Sequence, residues 1–211
     1  MSPAATPDPT VYVVEDDAAV RESLLLLLQL KGIAAAGFAS ADDFLAEARP
    51  DWPGCLLLDL RMPGTGGLEL QAMLGERGIA LPVVIITAHG DVAAARKAFI
   101  AGAVDFLEKP LDEAALLAAI GTALQRDALR RASDATAASR DARIARLSRR
   151  EQEVMWLAGA GKQNREIAAT LGLSPRTVEI YKARMLEKLQ IRGLPDLLTF
   201  LKDARRDDVT S

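Results

Sequence analysis

Cysteine, histidine and aromatic side chains are scarce in this chain: one Cys, one His and 4% Phe, Trp and Tyr among 211 residues. A single cysteine excludes an internal disulfide framework. Cys55 lies in the apolar run Cys55-Leu56-Leu57-Leu58, the setting of a small buried hydrophobe rather than of a nucleophile or metal ligand. His89 follows another apolar run and reads as a loop or helix-start residue, not as a phosphodonor or ligand. No apolar stretch approaches the ~20 residues needed to span a bilayer, and Pro3, Pro7, Asp8 and Pro9 do not suit a signal peptide. A reducing cytoplasm is the expected setting, with no membrane partner. Apolar residues are plentiful at 50%, beside 26% charged ones, enough for packed cores. The length fits one mid-sized domain plus a small one and excludes a barrel enzyme with a large accessory domain.

The net charge of -3 is a sum of two unlike parts. Residues 1–142 hold 12 Lys and Arg against 20 Asp and Glu, a net of -8, whereas residues 143–211 hold 14 against 9, a net of +5. An acidic first part and a basic second part point to a cation-handling module joined to an anion-binding one, with nucleic acid the leading anion.

From Thr10 onward short apolar runs alternate with amphipathic segments, the order of repeated strand-helix units on a parallel sheet. Strands are expected at Thr10–Val14, Ile33–Phe38, Cys55–Leu58, Val83–Thr87 and Val104–Leu107, with helices near 17–31, 41–49, 66–77, 91–101 and from 111 onward. The nine residues before that pattern starts read as a disordered 1–9 segment. The first domain is then 10–126, followed by a helical linker over 127–146, because Ala, Arg, Leu and Asp dominate there and Pro is absent. A second domain spans 147–204, with a tail at 205–211. Its helices read as 149–160, 164–171, 175–189 and 194–204, opened by the capping box Ser148-Arg149-Arg150-Glu151 and punctuated by Gly161, Gly172 and Gly193.

Three carboxylates fall at strand ends: Glu15 and Asp16 after the first strand, Asp59 closing the third. If those strands are neighbours the acids converge, and such groups repel unless a cation lies among them. A hard divalent ion such as Mg2+ suits oxygen ligands of this kind. The fourth strand ends on the hydroxyl of Thr87 and the fifth is followed by Lys109-Pro110. Together these groups make a pocket able to hold a metal and a tetrahedral anion, with Asp59 placed to attack a phosphoryl group. Taken singly, acids at strand ends often cap the next helix instead.

The segments VVEDD with Arg21 five residues beyond Asp16, LLLDLRMPG, VVIITAHGD and GAVDFLEKP resemble the receiver domain of bacterial response regulators. That resemblance implies an α/β fold of flavodoxin-like type, a five-stranded parallel sheet in a (βα)5 unit. It also implies Asp59 as phosphoacceptor, Mg2+ held by Glu15, Asp16, Asp59 and the Arg61 carbonyl, phosphoryl contacts from Thr87 and Lys109, Phe106 as a switch aromatic, and a cis Lys109-Pro110 bond. Glu15 stands where Asp is commoner in the family, and Asp17 is a candidate to support the metal ligands from behind.

Residues 146–201 resemble the four-helix DNA-binding domain of the LuxR, NarL and FixJ type, through RLSRREQEVMWLAGAGKQNREIAATLGLSPRTVEIYKARMLEKL. Ser174 reads as N-cap and Pro175 as first residue of the recognition helix. Val178, Tyr181, Met185 and Leu189 form its core stripe, which leaves Arg176, Glu179, Ile180 and Ala183 for base edges in a major groove. Lys162, Asn164, Arg165, Thr177, Lys182, Arg184 and Lys188 are expected on phosphates. Met155 and Trp156 have core spacing and carry no assigned role.

The whole chain therefore resembles a two-component response regulator of the FixJ-like subgroup. Expected partners are a sensor histidine kinase, a second copy of the chain upon phosphorylation, promoter DNA with two half-sites about one helical turn apart, and RNA polymerase at such a promoter. The chain is not expected to be an enzyme beyond hydrolysis of its own aspartyl phosphate. An Asp-nucleophile phosphatase is disfavoured because Arg61 occupies the place of the second carboxylate such enzymes need. The remaining alternative is a constitutive regulator with a degenerate receiver, and the intact set Glu15, Asp16, Asp59, Thr87 and Lys109 argues against it.

Overall fold

Strands and helices alternate from Thr10 onward. A computed structural model describes residues 8–88 and 92–207, with side chains through Leu201. The expected disorder before Asp8, His89 and the last residues of the tail lie outside the described residues. In chain order the elements are β1 (Thr10–Val14), α1 (Ala18–Leu30), β2 (Ala35–Phe38), α2 (Ala41–Glu47), β3 (Gly54–Asp59), α3 (Gly67–Glu76), β4 (Val83–Thr87), α4 (Val92–Ile100) and β5 (Asp105–Glu108). They continue with α5 (Glu113–Ala145), α6 (Arg149–Gly159), α7 (Asn164–Leu171), α8 (Pro175–Leu189) and α9 (Leu194–Asp207). The chain divides into two compact units at Arg131–Ala132.

In the first unit the five strands form one parallel sheet in the order β2-β1-β3-β4-β5. The two-residue period of a strand sends alternate side chains to opposite faces. Tyr12, Val14, Leu56, Leu58 and Ile85 pack on one face with Phe44 of α2, Leu70 and Leu74 of α3 and Ala98 of α4. Val11, Val13, Leu57, Val84 and Ile86 pack on the other with Leu28 of α1 and Leu116 and Ile120 of α5. Each such leucine or isoleucine, fully buried, stabilises the fold by about 1.5–3 kcal/mol. Cys55 belongs to the second face, and burial pushes its thiol up to about 12, as befits an inert hydrophobe. The order reverses between β1 and β3, so the crevice beyond their carboxyl ends is where this architecture places its ligands.

The first unit reaches further than sequence periodicity places it. Asp127, expected in the linker, is buried and accepts the Gly54 N–H at 2.9 Å. Arg130 and Arg131 pair with the same carboxylate at 2.6 and 2.7 Å, and Arg131 also donates to the Trp52 carbonyl. Burial alone raises the Asp127 pKa, but these donors outweigh it and hold the carboxyl below its usual range. β2 starts later than expected, at Ala35, and α9 continues to Asp207, past the expected end at 204.

Among the described residues the second unit, from Ala132 onward, holds helices and no strand. Its core joins Val154, Met155 and Ala158 of α6, Ile167 of α7, Val178, Met185 and Leu189 of α8, and Leu197 and Leu201 of α9. Both halves of the capping box at Ser148 and Glu151 are present. Glu151 is buried and receives Lys188 at 2.6 Å as well as the Ser148 N–H at 2.7 Å. Burial raises the Glu151 carboxyl, yet Lys188 and Ser148 prevail and its pKa lies below the ordinary value. A carboxyl depressed in the folded state stabilises above its unfolded pKa and loses that contribution as the pH falls through the folded one. Because Lys188 is half exposed, Lys188→Met is expected to cost about 1–2 kcal/mol at neutral pH. Urea unfolding at a series of pH values checks this, since the gap from the unsubstituted protein should narrow as the pH falls below the ordinary carboxylate range. A gap independent of pH would contradict it.

Candidate functional site

The crevice beyond β1 and β3 gathers the strand-end residues. Parallel registry sets Val14 beside Leu58 and Asp59 beside Ile86, so the groups that follow β1, β3 and β4 stand side by side. Oxygens of Glu15, Asp16 and Asp59 all lie within 4.8 Å of one another. Glu15 and Asp59 are buried, whereas Asp16 faces solvent. Lys109 reaches in from the end of β5 and sets its ammonium 2.8 Å from Glu15 Oε2 and 3.1 Å from Asp59 Oδ2. Its backbone N–H donates to the Thr87 carbonyl at 2.7 Å, and the Lys109-Pro110 bond is cis. Thr87 is wholly buried at the end of β4, and Phe106 is partly buried on the α2–α4 face of the sheet. The Arg61 N–H donates to Asp59 Oδ1 at 3.2 Å. Gly67, at the start of α3, admits the close approach of that helix, because a Cβ there would stand 2.4 Å from the Asp59 carbonyl oxygen.

Burial, the largest influence, and the neighbouring Asp59 charge hold the Glu15 carboxyl above its usual range despite the opposing ammonium. Burial draws Lys109 down, but its hydrogen bonds and charge attraction to Glu15 and Asp59 outweigh this, so it stays cationic. Two of the three acids, Glu15 and Asp59, share the one ammonium, and the cluster keeps an excess of negative charge. Hard oxygen donors, a surplus of charge and one carboxylate open to water fit a Mg2+ ion, which keeps several waters and binds few protein carboxylates. Asp17 belongs to a different task from the one its position invites. Its Oδ1 caps α1 by accepting the N–H groups of Ala19 and Val20 at 2.8 and 3.2 Å.

In the second unit α7 ends at Gly172, a left-handed residue with φ 67°, and α8 begins at Pro175 with Ser174 as its cap. Ser174 Oγ accepts the Thr177 N–H at 3.1 Å and lies 2.8 Å from the Thr177 hydroxyl. Arg176, Glu179, Ile180, Ala183 and Arg184 are exposed, while Val178, Met185 and Leu189 are buried and Tyr181 partly so. Lys162 and Arg165 are exposed at the start of α7, and Lys182 donates to Asn164 Oδ1 at 2.8 Å, which couples the two helices. Lys188 stands apart from this group: its ammonium is engaged by buried Glu151, so it braces α8 against α6 rather than reaching for phosphate. Trp156, given core spacing by periodicity, is 49% exposed.

Residues 11–121 match the response regulator receiver domain, and residues 145–201 match the bacterial regulatory proteins of the luxR family. The transcriptional regulatory protein FixJ of Azorhizobium caulinodans is 44% identical over 188 residues, 89% of either chain. Response regulators of the FixJ type are the family to which this chain belongs. Nodulation protein W of Bradyrhizobium diazoefficiens is 42% identical over 89% of this chain and 83% of its own. The solved response regulator StyR superposes with a TM-score of 0.86 at 41% identity, covering 93% of this chain and 99% of that one.

A receiver joined to a LuxR-type DNA-binding domain makes this response regulator a two-component regulator of transcription rather than a metabolic enzyme. Among the described residues no helix is long and apolar enough to cross a membrane. Two features of the response regulator escape periodicity: the Asp127 cluster, whose partner Gly54 is distant in sequence, and the Glu151–Lys188 pair between helices. The only sequence signal for the second is that Glu151 already serves a capping box.

Proposed function

We propose that this response regulator accepts a phosphoryl group on Asp59 from a histidine kinase and thereby controls its dimerisation and its binding to promoter DNA. The observation that carries the reading is the Lys109 ammonium lying on both Glu15 and Asp59 at the carboxyl ends of the strands. In the transfer the bond between phosphorus and the donor imidazole nitrogen breaks as an Asp59 oxygen bonds to phosphorus, and the released imidazole takes a proton from water. Lys109 exchanges its hold on Asp59 for a phosphoryl oxygen, and the Thr87 hydroxyl donates to another. Glu15, Asp16, Asp59 and the Arg61 carbonyl would hold Mg2+, which would supply charge neutralisation for the phosphoryl oxygens. Movement of Thr87 toward the phosphoryl group leaves room for Phe106 to turn inward, which biases the receiver toward its dimerising state. Hydrolysis of the acyl phosphate with water returns inorganic phosphate and the free carboxylate.

The dimer places two copies of α8 in successive major grooves, over half-sites about one helical turn apart. Arg176 and Glu179 are the base-reading pair; Ile180 and Ala183 offer apolar contacts to thymine methyls. Lys162, Asn164, Arg165, Thr177, Lys182 and Arg184 face phosphates, and RNA polymerase is met at the promoter so occupied. Arg176→Ala is expected to cost about 1–3 kcal/mol of binding and to relax sequence preference at one base pair. Arg184→Ala should instead weaken all sequences alike and lower the salt slope by about one. Fluorescence-anisotropy titrations at several salt concentrations separate these outcomes, and equal slopes for both variants would contradict the division of labour.

The test of the whole proposal is incubation with acetyl phosphate and Mg2+, followed by intact-mass measurement and titration of promoter DNA. One phosphoryl adduct and tighter DNA binding are expected. No adduct, or an adduct without any change in DNA affinity, would overturn phosphorylation control and leave a constitutive regulator.

A further inference from the structure

The turn Glu15–Asp17 between β1 and α1 must hold two carboxylates near each other and near Asp59, an arrangement that charge repulsion opposes. Its backbone is pinned at both ends. The Glu15 N–H donates to the Phe38 carbonyl at the end of β2, at 3.1 Å, and the Asp17 side chain caps α1. Between these points lie the carbonyls of Glu15 and Asp16. Both accept from one atom, Nη1 of Arg21, at 2.7 and 3.3 Å.

The peptide planes on either side of Asp16 carry those two oxygens. Fixing both planes fixes the φ and ψ of Asp16 and so the direction of its Cα–Cβ bond. Asp16 is exposed, and among the described residues no hydrogen bond or ion pair is shown for its carboxylate, so its aim comes from the backbone. Among the described residues Arg21 hydrogen-bonds carbonyls and no carboxylate, which distinguishes it from the groups that face the phosphoryl site.

A second observation concerns Gly37 of β2. A Cβ at that position would stand 3.3 Å from both Cγ and Cδ of Arg21 and 2.8 Å from Leu25 Cδ1. The absent side chain at Gly37 is thus the seat along which the methylene stem of Arg21 runs to the turn. Guanidinium suits the task because it is planar, always charged and weakly hydrated, so one nitrogen can serve two carbonyls at low desolvation cost.

We propose that Arg21, seated on Gly37, is the positioning residue of the cation-binding turn, which it holds through the Glu15 and Asp16 carbonyls so that their carboxylates converge with Asp59. The inference rests on the reading of this pocket as a Mg2+-dependent phosphoacceptor.

Calorimetric titration of the full-length protein with Mg2+ alone, and phosphorylation by acetyl phosphate over a range of Mg2+ concentrations, test it. Arg21→Met is expected to raise the Mg2+ Kd about tenfold, the effect typical of groups that orient metal ligands. The Mg2+ concentration for half-maximal phosphorylation should rise in parallel, while the maximal rate changes by less than about threefold, because the attacking group and Lys109 are untouched. Arg21→Lys should recover part of the affinity. Gly37→Val, in which Arg21 remains but its seat is filled, should raise the Kd in the same direction. A folded Arg21→Met protein with unchanged Mg2+ affinity and only a lower unfolding midpoint would reduce Arg21 to a brace and overturn the proposal. Should Arg21→Met not fold, a folded Gly37→Val protein with unchanged affinity overturns it equally. Failure of the unsubstituted protein to bind Mg2+ would be the distinct result that removes the phosphoacceptor reading itself.

Discussion

Asp59→Asn is expected to abolish the phosphoryl adduct outright and to make DNA affinity indifferent to acetyl phosphate. Asparagine keeps the volume of the side chain, and the site at the end of β3 is buried, so the fold should survive the exchange. What disappears is the oxygen proposed as the nucleophile, together with one of three carboxylates gathered within 4.8 Å. Lys109 then keeps only Glu15 as an ionic partner, at 2.8 Å, and the excess negative charge that suits a divalent ion falls. Both steps of the response, uptake and switching, lose their chemical basis, since a phosphoryl group can shift the receiver equilibrium only through differential interactions with its two states. Intact-mass measurement gives the first result and promoter titration the second. A residual adduct on the variant would move the acceptor to another side chain.

Gly54→Ala is expected to have the largest effect on stability, about 3–5 kcal/mol, from the sum of steric overlap and backbone strain. Gly54 opens β3 with φ 130°, a conformation that L side chains rarely adopt. A Cβ there would stand 1.9 Å from the Thr10 carbonyl oxygen and 2.7 Å from the Thr10 nitrogen, and backbone atoms of β1 cannot rotate away as a side chain would. The same residue donates its N–H to Asp127, so β1, β3 and α5 meet at one atom group. Displacing it disturbs the β1–β3 pairing and orphans a buried carboxylate together. A loss of that size is a large share of the ~5–15 kcal/mol that holds a domain folded. Urea unfolding followed by circular dichroism measures it, and a loss below about 1 kcal/mol would contradict the steric argument.

Strand ends are legible from sequence because a two-residue period and a parallel sheet leave little freedom. Once β1, β3, β4 and β5 are placed, Glu15, Asp16, Asp59, Thr87 and Lys109 have nowhere to go but one edge. The receiver resemblance adds roles to positions that the pattern had already brought together. Helix α8 is legible for a similar reason, since its core stripe at Val178, Met185 and Leu189 dictates which residues face outward. Lys188 shows where such reasoning stops. Periodicity reports exposure around one helix axis, whereas its partner Glu151 arrives from α6. Asp127 is hidden for the same reason: helical spacing pairs it with Arg130 and Arg131, but nothing local marks an amide 73 residues away. Asp17 illustrates the converse, an acid drawn toward the pocket by its neighbours in sequence and claimed by the free amides of a helix start.

The two tryptophans, which carry no assigned role in signalling, give the protein a built-in optical readout. Trp52 stacks on Tyr12 with ring centroids 4.6 Å apart inside an aromatic cluster of the first unit, while Trp156 is 49% exposed on α6 of the second. The first should emit at shorter wavelength and resist quenching by iodide; the second should emit redder and be quenched readily. Each single-tryptophan variant therefore makes one unit silent, so denaturation of receiver and DNA-binding unit can be followed separately in one intact chain, without dyes or truncation.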